Sequence, residues 1–207
     1  MASPGWPVHL ADGPIGLRPL RHRDASAWSE LRIRSEGWLA PWEGRPPGGP
    51  ASTWADRNST AAFGLMLRVL RREAKGGRCL PFAITDEGVL AGQVTVSNVV
   101  RGALQSASIG YWVDPARAGR GLAPTAVALA VDHCFTRVGL HRVEANVRPE
   151  NAPSLRVVDK VGFRPEGHRE RFLFIDGDWR DHLGFALTVD DVPEGVLQRM
   201  RSRQQTR

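Results

Sequence analysis

GYWVDPARAGRGLAPTAVALAVDHCF, from Gly110 to Phe135, decides the architecture of this chain. Tyr111, Trp112 and Val113 read as a strand, Asp114-Pro115 stops it, and a loop with two glycines leads into a helix. Glycine at 119 and at 121 keeps Cβ atoms away where the loop becomes the helix. The first turn of a helix presents free N–H donors and partial positive charge, so strand, glycine turn and helix start make a cradle for phosphate. Two other phosphate loops are excluded by register. No Lys-Ser or Lys-Thr follows Gly121, as a Walker loop requires, and Pro124 stands where a dinucleotide fingerprint needs its third glycine.

A second stretch, HRVEANVRPENAPSLRVVDKVGF from His141 to Phe163, repeats the logic. A strand comes first, Pro149-Glu150-Asn151 interrupts it, and a helix runs on to Gly162, which suits a helix C-terminus. Asn151 is a good N-cap, and Ser154 lies one turn further along the same face. Phe163 restarts an apolar strand.

In this order and spacing the two blocks resemble the GNAT acetyltransferases, and among them the RimJ/RimL-type branch (ribosomal-protein-alanine N-acetyltransferase-like). The family's pyrophosphate loop, Arg/Gln-x-x-Gly-x-Gly/Ala, falls on Ala118, Gly119, Arg120, Gly121, Leu122 and Ala123. Its first position is a departure, being Ala118, with an arginine one place earlier at Arg117. The second block resembles the branch in Arg142, Glu144, Ala145, Glu150, Asn151, Ser154, Lys160, Gly162 and Phe163.

Composition narrows the function classes. The chain has 207 residues, enough for one sizeable core, and 42% hydrophobic with 24% charged residues is ordinary for a soluble globular protein. One domain is expected over 1–207, with about 1–14 and 193–207 as flexible tails. The net charge of +6 is almost all arginine, since only Lys75 and Lys160 are lysines, and it is spread along the chain. No specific nucleic-acid binding is therefore expected. The N-terminus lacks a signal peptide's apolar run, and no stretch reaches membrane-spanning length. A cytoplasmic protein with no membrane partner is expected. Cys79 and Cys134 suggest neither a disulfide framework nor a zinc site, and the six histidines lack metal-ligand spacing, so no metal is expected.

In chain order, Ile15 to Leu20 alternates like a strand, and Asp24 can cap a helix carrying Ala27, Trp28 and Leu31. The segment from Gly37 to Thr53 is loop-like, with Trp38 and Trp42 among helix breakers. One helix is expected from about Ser52 to Lys75, then strands at Leu80–Thr85 and Val89–Val99. The two opening stretches follow, and strands at about Arg164–Ile175 and Trp179–Val189 meet at Asp176-Gly177-Asp178. The fold class is α/β (α+β), a mixed sheet with helices on both faces. The resemblance adds a mostly antiparallel central sheet splayed between its fourth and fifth strands, those at Tyr111–Val113 and Arg142–Val147.

The resemblance also implies an activity: acetyl transfer from acetyl-CoA to a primary amine, with CoA as product. The splay leaves strand groups unpaired, and pantetheine, with two amides, can bind there as an added strand. The residues expected to hold acetyl-CoA are Trp112, Val113, Arg117, Ala118, Gly119, Arg120, Gly121, Leu122, Ala123, Asn151 and Ser154, with backbone N–H groups near Trp112 and Val113 meeting the oxyanion. Many family members protonate the leaving thiolate with a tyrosine seven positions after the residue matching Asn151; here that position is Val158. Ser154 takes the donor role on this reading, or is a helix-surface hydroxyl, and Tyr111, the only tyrosine, stands in reserve. Asn151 binds pantetheine, caps its helix, or does both. Glu144 is either a general base or half of an ion pair with Arg142 or Arg117. Trp38 and Trp42 are expected to shape the acceptor groove. An α-amino group, with a pKa of about 7.7–8.0, needs less help from a base than a lysine near 10.4. The expected acceptor is accordingly a protein N-terminus, such as that of a ribosomal protein. A small amine (antibiotic or polyamine), or a non-catalytic acyl-CoA-binding module, remains as an alternative, and a homodimer stays open.

Overall fold

The computed structural model describes residues 5–49 and 51–205. The chain begins with β1 (Leu10–Asp12) and β2 (Ile15–Pro19), followed by α1 (Ala25–Arg34) and the single turn α2 (Glu36–Leu39). After a loop come α3 (Trp54–Arg57) and α4 (Thr60–Lys75), then β3 (Leu80–Asp86), β4 (Val89–Val100) and β5 (Ser106–Val113). The second half is α5 (Leu122–His133), β6 (Arg142–Val147), α6 (Ala152–Val161), β7 (Arg164–Ile175), β8 (Asp178–Thr188) and α7 (Val196–Gln205).

All eight strands form one sheet in the order β1-β2-β3-β4-β5-β6-β8-β7. Every pairing is antiparallel except β5 with β6. That parallel pairing covers only Ser106–Ser108 against Arg142–Glu144. Beyond Ser108, β5 continues against β4 alone, while Ala145–Val147 of β6 continue against β8 alone. The expected splay is there; it falls between the fifth and sixth strands because β1 adds one at the start.

Alternation along the strands divides the core between two faces. Leu80, Phe82 and Ile84 of β3 pack with α5, α6 and α7, whereas Ala83 between them packs with Trp28 and Leu31 of α1 and Phe63 and Leu67 of α4. α5 is buried along nearly its whole length, which explains its run of Ala, Val and Leu from Ala126 to Val131.

Three expectations change. The helix expected over about Ser52–Lys75 is two, because Asn58 is buried with its side-chain amide donating to Trp54 O (2.8 Å) and Ser59 starts a new helix by accepting from Ala62 N (3.2 Å). Asp24 precedes α1 without capping it; its carboxylate instead takes the Arg18 guanidinium at 2.7 and 2.8 Å and Arg21 N at 2.8 Å. The ends expected to be loose are packed where they are described. Trp6 meets Phe82 edge-on at 5.0 Å, and β1 pairs with β2. Asp132 of α5 accepts from Val196 N (2.6 Å) and Leu197 N (3.0 Å), capping α7, whose Val196 and Met200 enter the core. The outermost residues of both expected tails, 1–4 and 206–207, lie outside the described residues.

His133 at the end of α5 is buried, and its Nε2–H donates to Gly5 O at 2.6 Å. Burial holds its pKa below the ordinary value, with Arg137 adding to the effect. A depressed folded pKa means that the neutral ring stabilises the fold above the unfolded value of about 6.5, and that this contribution is lost as pH falls below it. Thermal unfolding should therefore show Tm falling between about pH 8 and pH 5, with a shallower fall in His133→Gln. An identical slope in the variant would remove His133 from the acid response.

Candidate active site

The unpaired side of β5 faces the starts of α5 and α6. Gly119 and Gly121 hold left-handed backbone, with φ of +79° and +85°. Gly121 is the N-cap of α5, and the first N–H satisfied inside the helix is that of Thr125, on Gly121 O at 3.1 Å. The N–H groups of Leu122 and Ala123 are left free at the helix end, and Pro124 has none to offer. A Cβ added at either glycine would meet nothing within 4 Å, so these positions need the backbone conformation, and the space beside them is open to a ligand. α6 starts beside the same space, with Asn151 Oδ1 accepting from Ser154 N at 3.1 Å. Two helix N-termini, each partly positive, converge there.

Between them lies a cleft of about 760 Å³. It brings together Trp38, Trp42, Tyr111, Trp112, Val113, Arg117, Ala118, Gly119, Gly121, Leu122, Ala123, Asn151 and Ser154, all expected from the sequence. Arg156 and Lys160 also line it, neither in an ion pair among the described residues, with Asp159 between them. Free N–H groups, two helix N-termini and unpaired cations fit the pyrophosphate of CoA.

The register of β5 gives its backbone a direction. Asp114 N donates to Ala91 O at 2.8 Å while Val113 sits opposite Gly92, so this is a non-hydrogen-bonded pair. The N–H and C=O of Val113 therefore turn away from β4, toward the splay. The side chains alternate, so Tyr111 reaches α6 and Trp112 lies on the opposite face against Trp28, with ring centroids 6.3 Å apart. Between the two positions expected to meet an oxyanion, Val113 presents its N–H to the gap and Trp112 presents an indole to the far face.

Other expected residues are placed differently. Arg117 lines the cleft but is engaged by the buried Asp86 at 2.5 Å. Arg120 does not line the cleft; it is mostly exposed, 3.9 Å from the same carboxylate. Glu144 lies beside the closed part of the β5–β6 pairing, opposite Ser108, with its oxygens taken by Arg142 (2.8 Å) and Arg169 (3.0 Å). It is an ion-pair residue outside the cleft, so the general-base alternative loses its geometry. Val158 points into the core and is buried, so that position serves packing. The Tyr111 hydroxyl donates to Ser154 O at 3.2 Å, and burial pushes its phenol well above the ordinary range. Ser154 Oγ has no hydrogen-bond partner among the described residues. Trp42 is held under the Arg148 guanidinium at 5.5 Å, and Arg148 also donates to Pro41 O at 2.9 Å.

Arg32 was missed from the sequence. It is buried, with its guanidinium 5.3, 4.9 and 5.2 Å from the rings of Trp28, Trp54 and Trp112. It donates to Asn58 Oδ1 at 2.7 Å and forms an ion pair with Glu43. Burial, with Arg57 nearby, lowers its pKa to about 10, which leaves it charged at neutral pH. A charge four residues after Trp28 on a helix face that must be buried was the available signal.

Residues 15–164 match the family described as an acetyltransferase (GNAT) domain. The chain belongs to the GNAT acetyltransferases. It is 30% identical over 190 residues to the [Ribosomal protein uS5]-alanine N-acetyltransferase of Escherichia coli, an alignment covering 91% of this chain and 94% of that protein. It is 42% identical over 110 residues to the probable N-acetyltransferase YjcK of Bacillus subtilis, covering 53% of this chain and 60% of that protein. A solved structure of Mycobacterium smegmatis RimJ in complex with CoA-disulfide superposes with a TM-score of 0.92 at 45% identity, covering 99% of this chain and 98% of that one. This GNAT enzyme is an acetyl-CoA-dependent N-acetyltransferase of the RimJ/RimL type.

The phosphate cradle can be tested by charge at constant backbone. Asn tolerates the left-handed conformation of Gly121 better than most residues, and Asp adds a charge to a similar shape. Gly121→Asp should raise the acetyl-CoA Kd at least about tenfold more than Gly121→Asn, because it opposes a charge-assisted contact. Equal losses in the two folded variants would take the diphosphate away from this loop.

Proposed function

We propose that this GNAT enzyme transfers an acetyl group from acetyl-CoA to the α-amino group of a protein N-terminus, with a ribosomal protein as the acceptor class. The single observation that carries this reading is the shape of the splay. The donor-side cleft at α5 and α6 runs past Val113 to Trp112 on the opposite face, where a chain end can arrive. The relatives named above support it, since one is an alanine N-acetyltransferase of ribosomal protein uS5 and another bears the RimJ name.

The chain's residues divide the work as follows. The free N–H groups of Leu122 and Ala123 bind diphosphate, and Asn151, its Oδ1 used by the cap, has its side-chain NH₂ left for a pantetheine carbonyl. The acetyl thioester is supplied by the donor. Val113 N–H donates a hydrogen bond to the carbonyl oxygen as that oxygen gains negative charge during attack. The acceptor ammonium releases a proton to water, its neutral nitrogen bonds to the carbonyl carbon and then gives up a second proton to water, and the C–S bond breaks. Ser154 Oγ–H, free of other partners, gives a proton to the departing sulfur and regains one from solvent, while Tyr111 fixes the Ser154 turn from behind. Trp38 and Trp42 wall the approach on the donor side.

A panel of acceptors decides the substrate: peptides with free N-termini, peptides blocked at the N-terminus but carrying lysine, and polyamines. Free N-termini should give the highest kcat/KM, and exclusive use of lysine or polyamine would overturn the reading. On a verified acceptor, Ser154→Ala should lower kcat by about 10²–10⁴-fold with an unchanged acetyl-CoA Kd. A kcat within about threefold of wild type would move the proton transfer to solvent or Tyr111, since general acid catalysis is worth far more.

A further inference from the structure

A second cleft, of about 620 Å³, opens on the α1/α4 face and has Trp28, Glu36, Arg57, Met66 and Asp176 in its walls. It shares Arg32, Glu43, Gly44 and Trp112 with the donor-side cleft, so the two meet at these residues. Four carboxylates line one cleft or the other: Glu36, Glu43, Asp159 and Asp176. Glu43 alone lines both.

We propose that Glu43, at the junction of the two clefts, receives the ammonium group of the acceptor. This assignment rests on the α-amine reading above and adds a specific binding residue to it. One carboxylate oxygen of Glu43, Oε2, takes Arg32, and Oε1 has no partner among the described residues. About a third of the side chain is exposed, so the free oxygen is reachable. A carboxylate accepts at about four lone-pair sites, and one ion pair leaves room for a second cation.

The position of that oxygen is fixed from both ends. Arg32 cannot swing, because three indoles and Asn58 surround its guanidinium. The backbone next to Glu43 is fastened to the sheet: Gly44 bridges Ile175, and Arg45 N donates to Phe174 O at 3.0 Å. Trp112, the neighbour of Val113, forms a wall of both clefts, so an amine on Glu43 sits beside the strand that holds the oxyanion donor.

The other charges on the second cleft are Arg32 from α1, Glu36 from α2, Arg45 from the loop, Arg57 from α3 and Asp176 from the β7–β8 turn. On the donor side they are Arg117, Arg156, Asp159 and Lys160. Arg32 is balanced by Glu43 itself, and Glu36 and Asp176 offset Arg45 and Arg57 further out.

The test uses steady-state kinetics of the full-length enzyme with a free-N-terminus peptide. Glu43→Gln keeps the shape and an acceptor for Arg32, yet should raise the peptide KM at least about tenfold, the scale of a lost hydrogen bond to a charged group. The acetyl-CoA Kd should stay within about twofold, a change too small for a lost contact of that kind. Glu43→Asp retains the charge and should recover part of the loss, and it keeps the proposal testable if Glu43→Gln does not fold. The ratio of KM values should shrink as the pH rises past the α-amine pKa of about 7.7–8.0, because a neutral amine has no charge to hold. An unchanged peptide KM, or a ratio that stays flat across that pH range, overturns the assignment. If wild type uses only lysine or polyamine acceptors, the α-amine reading fails by itself, and the same ratio measured on that amine still decides the role of Glu43.

Discussion

The rest of the structure depends on a pairing that stops. β5 and β6 share hydrogen bonds for three residues each and then part, because β5 follows β4 while β6 follows β8. An unpaired strand inside a domain is normally a cost, since its amide groups lose water without gaining partners. Here Val113 turns an N–H into open space at the exposed edge, and on the function proposed above a donor with its own amides pairs there. The helix starts of α5 and α6 sit at that opening because each follows one of the parted strands. The geometry of the pairing thus puts the glycine turn, the Asn151 cap and the Val113 N–H in one place.

Around the opening, the protein spends its buried polar groups on position. Arg32 among three tryptophans joins α1, the segment from α3 to Asn58, β5 and the loop at Glu43. Asp114 receives Arg34 at 2.6 Å and Ala116 N at 3.1 Å, bracing the turn that leaves β5. A buried charge with one partner removed is strongly destabilising, so these joints are sensitive to the loss of either partner. They are also the parts that a periodic reading of the sequence passes over.

What could be read in advance follows from how local each feature is. The glycine loop, the Asn151 cap and the Gly162 stop are set by residues adjacent in the chain, and the structure places them as expected. The splay was legible only through family resemblance, since no residue between Gly110 and Val147 announces a missing partner. The helix break at Asn58 was invisible because Asn58 is committed by Arg32, 26 residues earlier. Glu43 looked like loop filler between Trp42 and Gly44; its meaning comes from Arg32 on one side and Ile175 on the other, contacts that span the chain. Glu144 was legible in part: the pair with Arg142 on its own strand was one of its two readings, while its second partner, Arg169 on β7, lies 25 residues further on.

The bridge between Gly44 and Ile175 carries a consequence for how such enzymes diversify. It joins the segment at Glu43 to the β7–β8 hairpin through main-chain atoms, and a backbone contact is indifferent to the side chains around it. If Glu43 holds the acceptor as proposed above, substitutions at 43, 45 and 176 change which chain ends are admitted while the backbone stays where it is. The donor half, built on α5 and α6, has no part in that bridge. On that proposal, selection retunes one cleft a residue at a time and leaves the α5 and α6 side as inherited.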